Sequence, residues 1–157
     1  MNSRRKFVQN ASKIGIGSTL ISGIPLELIA GKRKKISAND KINFGVIGCK
    51  GMGWSDMRSI LKNSETDCIA LCDVDDKVLE ERSENVKDIT GKKPKIYSDY
   101  RKLLENKDID AVVIGTPDHW HCLNLVDALS ADKHIYCEKP ISNSIEEADI
   151  MLKASSK

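Results

Sequence analysis

A lysine between an acid and a proline, Glu138-Lys139-Pro140, closes the short apolar run His134-Ile135-Tyr136-Cys137. Upstream, Ala111-Val112-Val113-Ile114 passes through Gly115 into Thr116-Pro117-Asp118-His119-Trp120-His121. Earlier still, an apolar run ending at Ile47 opens into Gly48-Cys49-Lys50-Gly51-Met52-Gly53. Lys, His and Asp at strand ends, behind a glycine-rich turn, are what an open α/β sheet presents to a ligand, because such sheets bind outside the carboxyl ends of their strands. A positioned lysine stabilises developing negative charge. Glycines that lead into a helix let the backbone approach a phosphate.

The dinucleotide pattern G-x-G-x-x-G would put glycines at 48, 50 and 53, and Lys50 fills the middle position. A glycine there lets the backbone reach the pyrophosphate. Either the turn shifts so that Gly51 takes that task, or the phosphate contact is weaker; the lysine also offers charge to a phosphate. Asp73 ends the second apolar run, 20 residues after Gly53, where an acid hydrogen-bonds the adenosine ribose hydroxyls. A carboxylate there repels a 2′-phosphate, so NAD is expected over NADP. Asp75 and Asp76 read as N-terminal residues of the next helix, favoured by its dipole. His119, His121 and Cys122 invite a metal, but no second ligand pair at metal-binding spacing occurs elsewhere, and no metal is assigned. His119 and His121 are expected to line a substrate mouth or to cap the following helix.

These residues need a scaffold, and the alternation of apolar runs with helical segments supplies a parallel sheet covered on both faces. Strands are expected over 41–47, 66–72, 95–97, 111–114 and 134–137. Helices are expected from the glycine turn to near Asn63, over 75–90 with Gly91 as the left-handed stop, over 100–106, over 121–131, and after Ser144, which forms a capping box with Glu147. The fold class is α/β, a doubly wound, Rossmann-like parallel sheet, expected to be incomplete at its C-terminal end because the chain stops in the helix that would precede a last strand.

The ordered set of glycine turn, Asp73, Thr116 to His121 and Glu138-Lys139-Pro140 resembles the Gfo/Idh/MocA oxidoreductase family over residues 41–157. The resemblance implies an NAD-dependent enzyme, with NADP less favoured, acting on CH–OH groups of a sugar, polyol or related carbohydrate. It implies that Gly48, Cys49, Lys50, Gly51, Met52 and Gly53 form the phosphate turn and that Thr116 and Pro117 lie over the cofactor. Trp120 would give the dinucleotide an apolar wall, Glu138 would sit near the nicotinamide ribose, and Pro140 would shape the turn. Lys139 would be the catalytic cation, stabilising the alkoxide as hydride leaves the carbinol carbon. Family members continue into a second α/β domain that carries the substrate pocket and the oligomer interface. That domain is absent here, so the resemblance implies the cofactor-binding part of a longer, homo-oligomeric parent, and no turnover by 157 residues alone. Two other readings stand beside it: a glycosidase of the same fold that uses bound NAD for transient oxidation and elimination, and a non-enzymatic dinucleotide- or partner-binding module.

A composition of 40% hydrophobic and 31% charged residues is globular, and no apolar run is long and charge-free enough to read as a membrane span. The net charge of +2 hides a division. Residues 1–35 hold eight Lys/Arg against one acid, whereas the remainder holds 17 against 22. An acidic folded part speaks against nucleic acid as a partner. Five cysteines, odd in number and mostly in predicted strands, make poor material for a disulfide framework. Cys68 and Cys72, an even spacing apart, are expected on one strand face as small core residues. Ser3-Arg4-Arg5-Lys6-Phe7-Val8 resembles the twin-arginine consensus, and the moderately apolar stretch from Ile14 to Ala30 precedes a basic patch, Lys32-Arg33-Lys34-Lys35. Residues 1–31 are therefore expected to be a twin-arginine signal peptide and 32–40 a linker, the translocation machinery delivering a folded, cofactor-loaded domain to the periplasm. Replacing Arg4 and Arg5 by Lys should hold a fused reporter in the cytoplasm, measured by fractionation; equal export by both leaders would remove the twin-arginine reading.

Overall fold

The computed structural model describes residues 41–156, so the expected signal peptide (1–31) and linker (32–40) lie outside the described residues. The elements run β1 (Ile42–Ile47), α1 (Gly51–Ile60), β2 (Thr66–Cys72), α2 (Asp76–Thr90), β3 (Lys95–Tyr97), α3 (Tyr100–Leu104), β4 (Ala111–Ile114), a 3₁₀ turn (Asp118–Trp120), α4 (His121–Ser130), β5 (His134–Cys137) and α5 (Ile145–Ser155). All strand pairs are parallel, in the order β3-β2-β1-β4-β5. The chain winds outward from β1 to β3, then returns to the other side of β1 for β4 and β5. The order reverses between β1 and β4, the place where such a sheet opens a crevice.

Strand alternation divides the apolar residues between two cores. Phe44, Val46, Leu71 and Val113 meet Met57 of α1 and Leu79 and Val86 of α2 on one face. Ile47, Ala70, Val112 and Ile114 meet Leu103 and Leu104 of α3 and Ala128 of α4 on the other. A sheet buried on both sides needs apolar residues at consecutive positions, which is why these strands read as continuous apolar runs.

One strand breaks the expected alternation. In the β1–β2 register Phe44 faces Cys68, but Gly45 faces Ala70, so Ile69 is an extra residue on β2. Such a bulge turns every later side chain to the opposite face. Cys68 packs in the α1/α2 core and Cys72 in the α3/α4 core, which corrects the expectation that they share a face. Both thiols are buried, and burial pushes each up to about 12, so they act as packing groups.

The helix ends follow local chemistry. Asp75 caps α2, its Oδ1 accepting from the N–H groups of Lys77 and Val78, and Gly91 stops the helix at φ 77°. Asp99 caps α3 through the N–H of Arg101. Ser144 caps α5 through the N–H of Glu147, while the Glu147 carboxylate takes the N–H of Asn143, one residue earlier than a capping box requires. Tyr100 ties α3 to α4, its hydroxyl donating to Asp127 at 2.6 Å.

Candidate functional site

The carboxyl ends of β1, β2, β4 and β5 are held level by main-chain bonds that run one residue past the strands. Gly48 donates to Cys72, Gly115 to Ile47 and Glu138 to Ile114, at 2.8, 2.9 and 3.0 Å. Above them lies a cleft of about 920 Å³, lined at its floor by Gly48, Asp73, Gly115 and Thr116 and on its walls by Lys50, Gly51, Met52, Pro117, Trp120, Glu138 and Lys139. Of the residues that the sequence assigned to a cofactor, all but Cys49, Gly53 and Pro140 line this one cavity.

The glycine turn explains its own composition. Gly48 has φ 87°, and a side chain on it would meet the backbone of Gly115 and Thr116 at 2.7 Å. A Cβ on Gly53 would collide with the carbonyl oxygen of Gly48, and one on Gly115 would stand 2.5 Å from the Cα of Gly53. The strand ends and the first turn of α1 thus touch backbone to backbone. Gly51, at φ 44°, differs: nothing lies within 4 Å of the Cβ it lacks, and the open space there is the cleft. Gly51 is thus the glycine of the turn that leaves space open beside its backbone.

Lys50 has an extended backbone, φ −93° and ψ 172°, which any residue adopts. Its side chain pairs with Asp75 Oδ2 at 2.8 Å on the cleft lining, an interaction that raises the lysine and lowers the aspartate from their ordinary values. Asp73 is fixed from both sides. Its Oδ2 accepts from the N–H of Cys49 at 2.8 Å and its Oδ1 from the N–H of Asp75 at 3.1 Å. Each oxygen retains acceptor capacity for a ribose hydroxyl. Cys49 itself is fully buried, its thiol driven far up first by burial and then by the Asp73 charge. Expected among the phosphate-turn residues, it stays off the cleft lining, and its backbone N–H holds the Asp73 carboxylate.

Whether a dinucleotide fits is decided at α1. Lys50 makes no side-chain cap there and the first turn carries no acid, whereas α2, α3 and α5 are each capped by Asp or Ser, and α4, also without a side-chain cap, continues directly from the 3₁₀ turn. The first N–H groups of a helix have no intrahelical partner and attract an anion. An uncapped ten-residue helix entering the cleft through Gly51 suits a pyrophosphate. Val74, 93% exposed beside Asp73 on the cleft wall, offers an apolar platform for a base. It is not among the residues that the sequence singled out, although an apolar side chain between acids in a helix-entry turn is a usable signal.

On the opposite wall Trp120 is 43% exposed, and Lys139 is exposed at the end of β5. Glu138 is buried and takes the Tyr136 hydroxyl on one oxygen and the Lys139 N–H on the other. The Lys139–Pro140 bond is cis. Asn124, absent from the sequence-based set, lies buried beneath this wall and accepts from the Thr116 hydroxyl at 3.2 Å. The two histidines do not line the cleft. His119 is exposed, its Nδ1 3.6 Å from Asp118 Oδ1. His121 is buried, with both ring nitrogens on main-chain carbonyls. Pro140 likewise stays off the lining, and its carbonyl oxygen is one of those two partners.

Comparison with known proteins agrees with this geometry. Residues 42–157 match the Gfo/Idh/MocA model, described as an oxidoreductase family with an NAD-binding Rossmann fold. An α-N-acetylgalactosaminidase from Shewanella oneidensis is 30% identical over 110 residues, covering 68% of this chain and 24% of that protein. The fold is that of apo scyllo-inositol dehydrogenase from Lactobacillus casei, with a TM-score of 0.68 at 24% identity over 74% of this chain and 33% of that one. It is equally that of a dehydrogenase from Chromobacterium violaceum solved with NADH and UDP-GlcNAcA, with a TM-score of 0.66 at 24% identity over 76% and 33%. The chain thus spans about a quarter of the length of its curated relatives.

The two kinds of glycine in the turn should separate on mutation. Gly53→Ala, which forces backbone apart, should cost about 3 kcal/mol in urea denaturation. Gly51→Ala should cost only about 1 kcal/mol for its positive φ, yet weaken dinucleotide binding by at least about tenfold because its methyl group stands in the cleft. Equal stability losses in the two variants would contradict this division.

Proposed function

The chain belongs to the Gfo/Idh/MocA oxidoreductase family, and from that premise we propose that it forms the cofactor half-site of an exported dehydrogenase that acts on a CH–OH group of a sugar or polyol and prefers NAD to NADP. The observation that carries the reading is the uncapped N-terminus of α1 opening into the same cleft as Lys139. A helix end suited to an anion and an exposed lysine on one cleft suit a dinucleotide whose pyrophosphate sits at one and whose reactive ring lies at the other.

A nicotinamide supplies the hydride acceptor. The chain's own residues do the rest. Asp73, held by two backbone N–H groups, takes the ribose hydroxyls of the adenosine half. Lys50 is engaged by Asp75, and Arg101, also on the cleft lining, lies near Asp99 and Asp127, so both cations have acids of their own and the Asp73 carboxylate opposes a 2′-phosphate. Lys139 meets the substrate oxygen and stabilises the alkoxide left once the hydroxyl proton has passed to a base, and that alkoxide collapses to the carbonyl as its carbon gives up hydride. The exported location is part of the proposal and rests on Arg4-Arg5.

A second reading is favoured by one observation, the 30% identity to a protein named α-N-acetylgalactosaminidase. In it the same half-site serves glycoside cleavage, with bound NAD reduced and reoxidised within one turnover. Glycoside hydrolysis without net NADH would favour that reading; net NADH from a polyol would favour the first.

Calorimetric titration of the full chain should give NAD binding at least about tenfold tighter than NADP, and Asp73→Asn should narrow the ratio. Tighter binding of NADP by the unmodified chain would refute the Asp73 assignment. In the whole enzyme, Lys139→Ala should lower the rate by about two or more orders of magnitude while NAD still binds. A rate indifferent to that change would remove Lys139 from the chemistry.

A further inference from the structure

One buried amide borders the cleft with half of its hydrogen-bonding groups unused. Asn124, the fourth residue of α4, is 1% exposed and lines the cavity. Its Oδ1 accepts from the Thr116 hydroxyl at 3.2 Å, which anchors one end of the carboxamide. The other end, Nδ2, donates to nothing among the described residues. The side-chain nitrogens and oxygens both sealed and unpaired are Asp56 Oδ2, Arg82 Nε and Ser83 Oγ, and Asn124 Nδ2 is not one of them. It therefore opens on the cleft, with two N–H groups to give.

Its place along the cleft follows from its neighbours. His121, Asn124 and Asp127 are three residues apart on α4 and share a face of the helix. His121 lies against the carbonyl oxygen of Thr116, and Asp127 accepts from the hydroxyl of Tyr100 on α3. Ser98 to Arg101 line the cleft, and Tyr97, just before them, accepts from the N–H of Asp73 at 3.3 Å. One border of the cleft thus runs from Asp73 past the start of α3 to Asn124, under the Thr116 turn. Helix α1, which brings the phosphate turn, packs on the opposite face of the sheet. With the ribose at Asp73 and the pyrophosphate at α1, the part of a dinucleotide left for this border is the adenine base. Its ring nitrogens accept hydrogen bonds, and a carboxamide N–H is a matching donor. A buried donor left unmade is costly, so an acceptor placed there counts for more than one at the surface.

We propose that Asn124 reads the adenine base of the cofactor, its side-chain NH₂ donating to a ring nitrogen of the purine while the Thr116 hydroxyl holds the carboxamide in place. The inference rests on the dinucleotide function proposed above and adds to it a residue that selects the base.

Calorimetric titrations of the full chain with ADP and with its 1-deaza, 3-deaza and 7-deaza analogues test it, since each analogue replaces one ring nitrogen by CH. One analogue should bind the unmodified chain about tenfold more weakly than ADP. In Asn124→Leu, which keeps the volume and removes the donor, ADP itself should weaken by about tenfold and the penalty of that analogue should shrink below about twofold. All analogues matching ADP in the unmodified chain, or a penalty that survives in the variant, would overturn the assignment. A variant that binds NADH more weakly but ADP as before would overturn it too, by moving the amide to the other half of the cofactor. Should Asn124→Leu fail to fold, Asn124→Asp takes its place, keeping the shape and an acceptor for Thr116 but no N–H. Failure of the unmodified chain to bind either ADP or NADH would overturn the dinucleotide function and this inference together, whereas binding of ADP without discrimination among the analogues would overturn this inference alone.

Discussion

The site depends on a steric constraint: Gly48, Gly53 and Gly115 meet with no room for a side chain among them. That contact brings the end of β1, the start of α1 and the end of β4 closer than any residue with a Cβ permits. It fixes α1 at the point where the strand order reverses, with its N-terminus over the crevice rather than beside it. The cleft floor, the open face of Gly51 and the direction of the uncapped N–H groups all follow. Aliphatic packing by Met57, Leu79 and Val86 keeps the helices on the sheet, but the glycines decide how close the first one comes.

Charges around the turn are arranged in tiers. Asp73 secures the main chain of the phosphate turn through Cys49 and that of the next turn through Asp75. Asp75 in turn caps α2 and engages Lys50. Four roles that one acid could serve only in part are divided between two acids two residues apart. The arrangement also explains how a lysine occupies a position associated with glycine: its backbone is ordinary, and its ammonium has a partner outside the phosphate turn.

Much of this was legible in the sequence. Strands β2 to β5 lie where the apolar runs put them, because a sheet buried on both faces writes itself as continuous Val, Ile, Leu and Cys. Gly91 and Ser144 marked helix ends because cap chemistry is local. The bulge at Ile69 was not legible, since it is a property of how two strands pair and no residue type demands it. For that reason the shared face assigned to Cys68 and Cys72 was wrong. The buried position of His121 was equally hidden: in sequence it is a polar residue beside a tryptophan, and its partners are two carbonyls, which leave no side-chain signature. Val74 and Asn124 belong to the same class, ordinary residue types given significance by the cavity they border.

Lys139 stands at the end of β5 and the glycine turn at the end of β1, with β4 between them. Neighbouring strands of a sheet lie about 4.8 Å apart. The span from the turn to the backbone of the lysine is therefore two strand spacings, about 10 Å, and the ladder of main-chain hydrogen bonds sets it. Side chains decide what is presented at either end; the sheet decides how far apart.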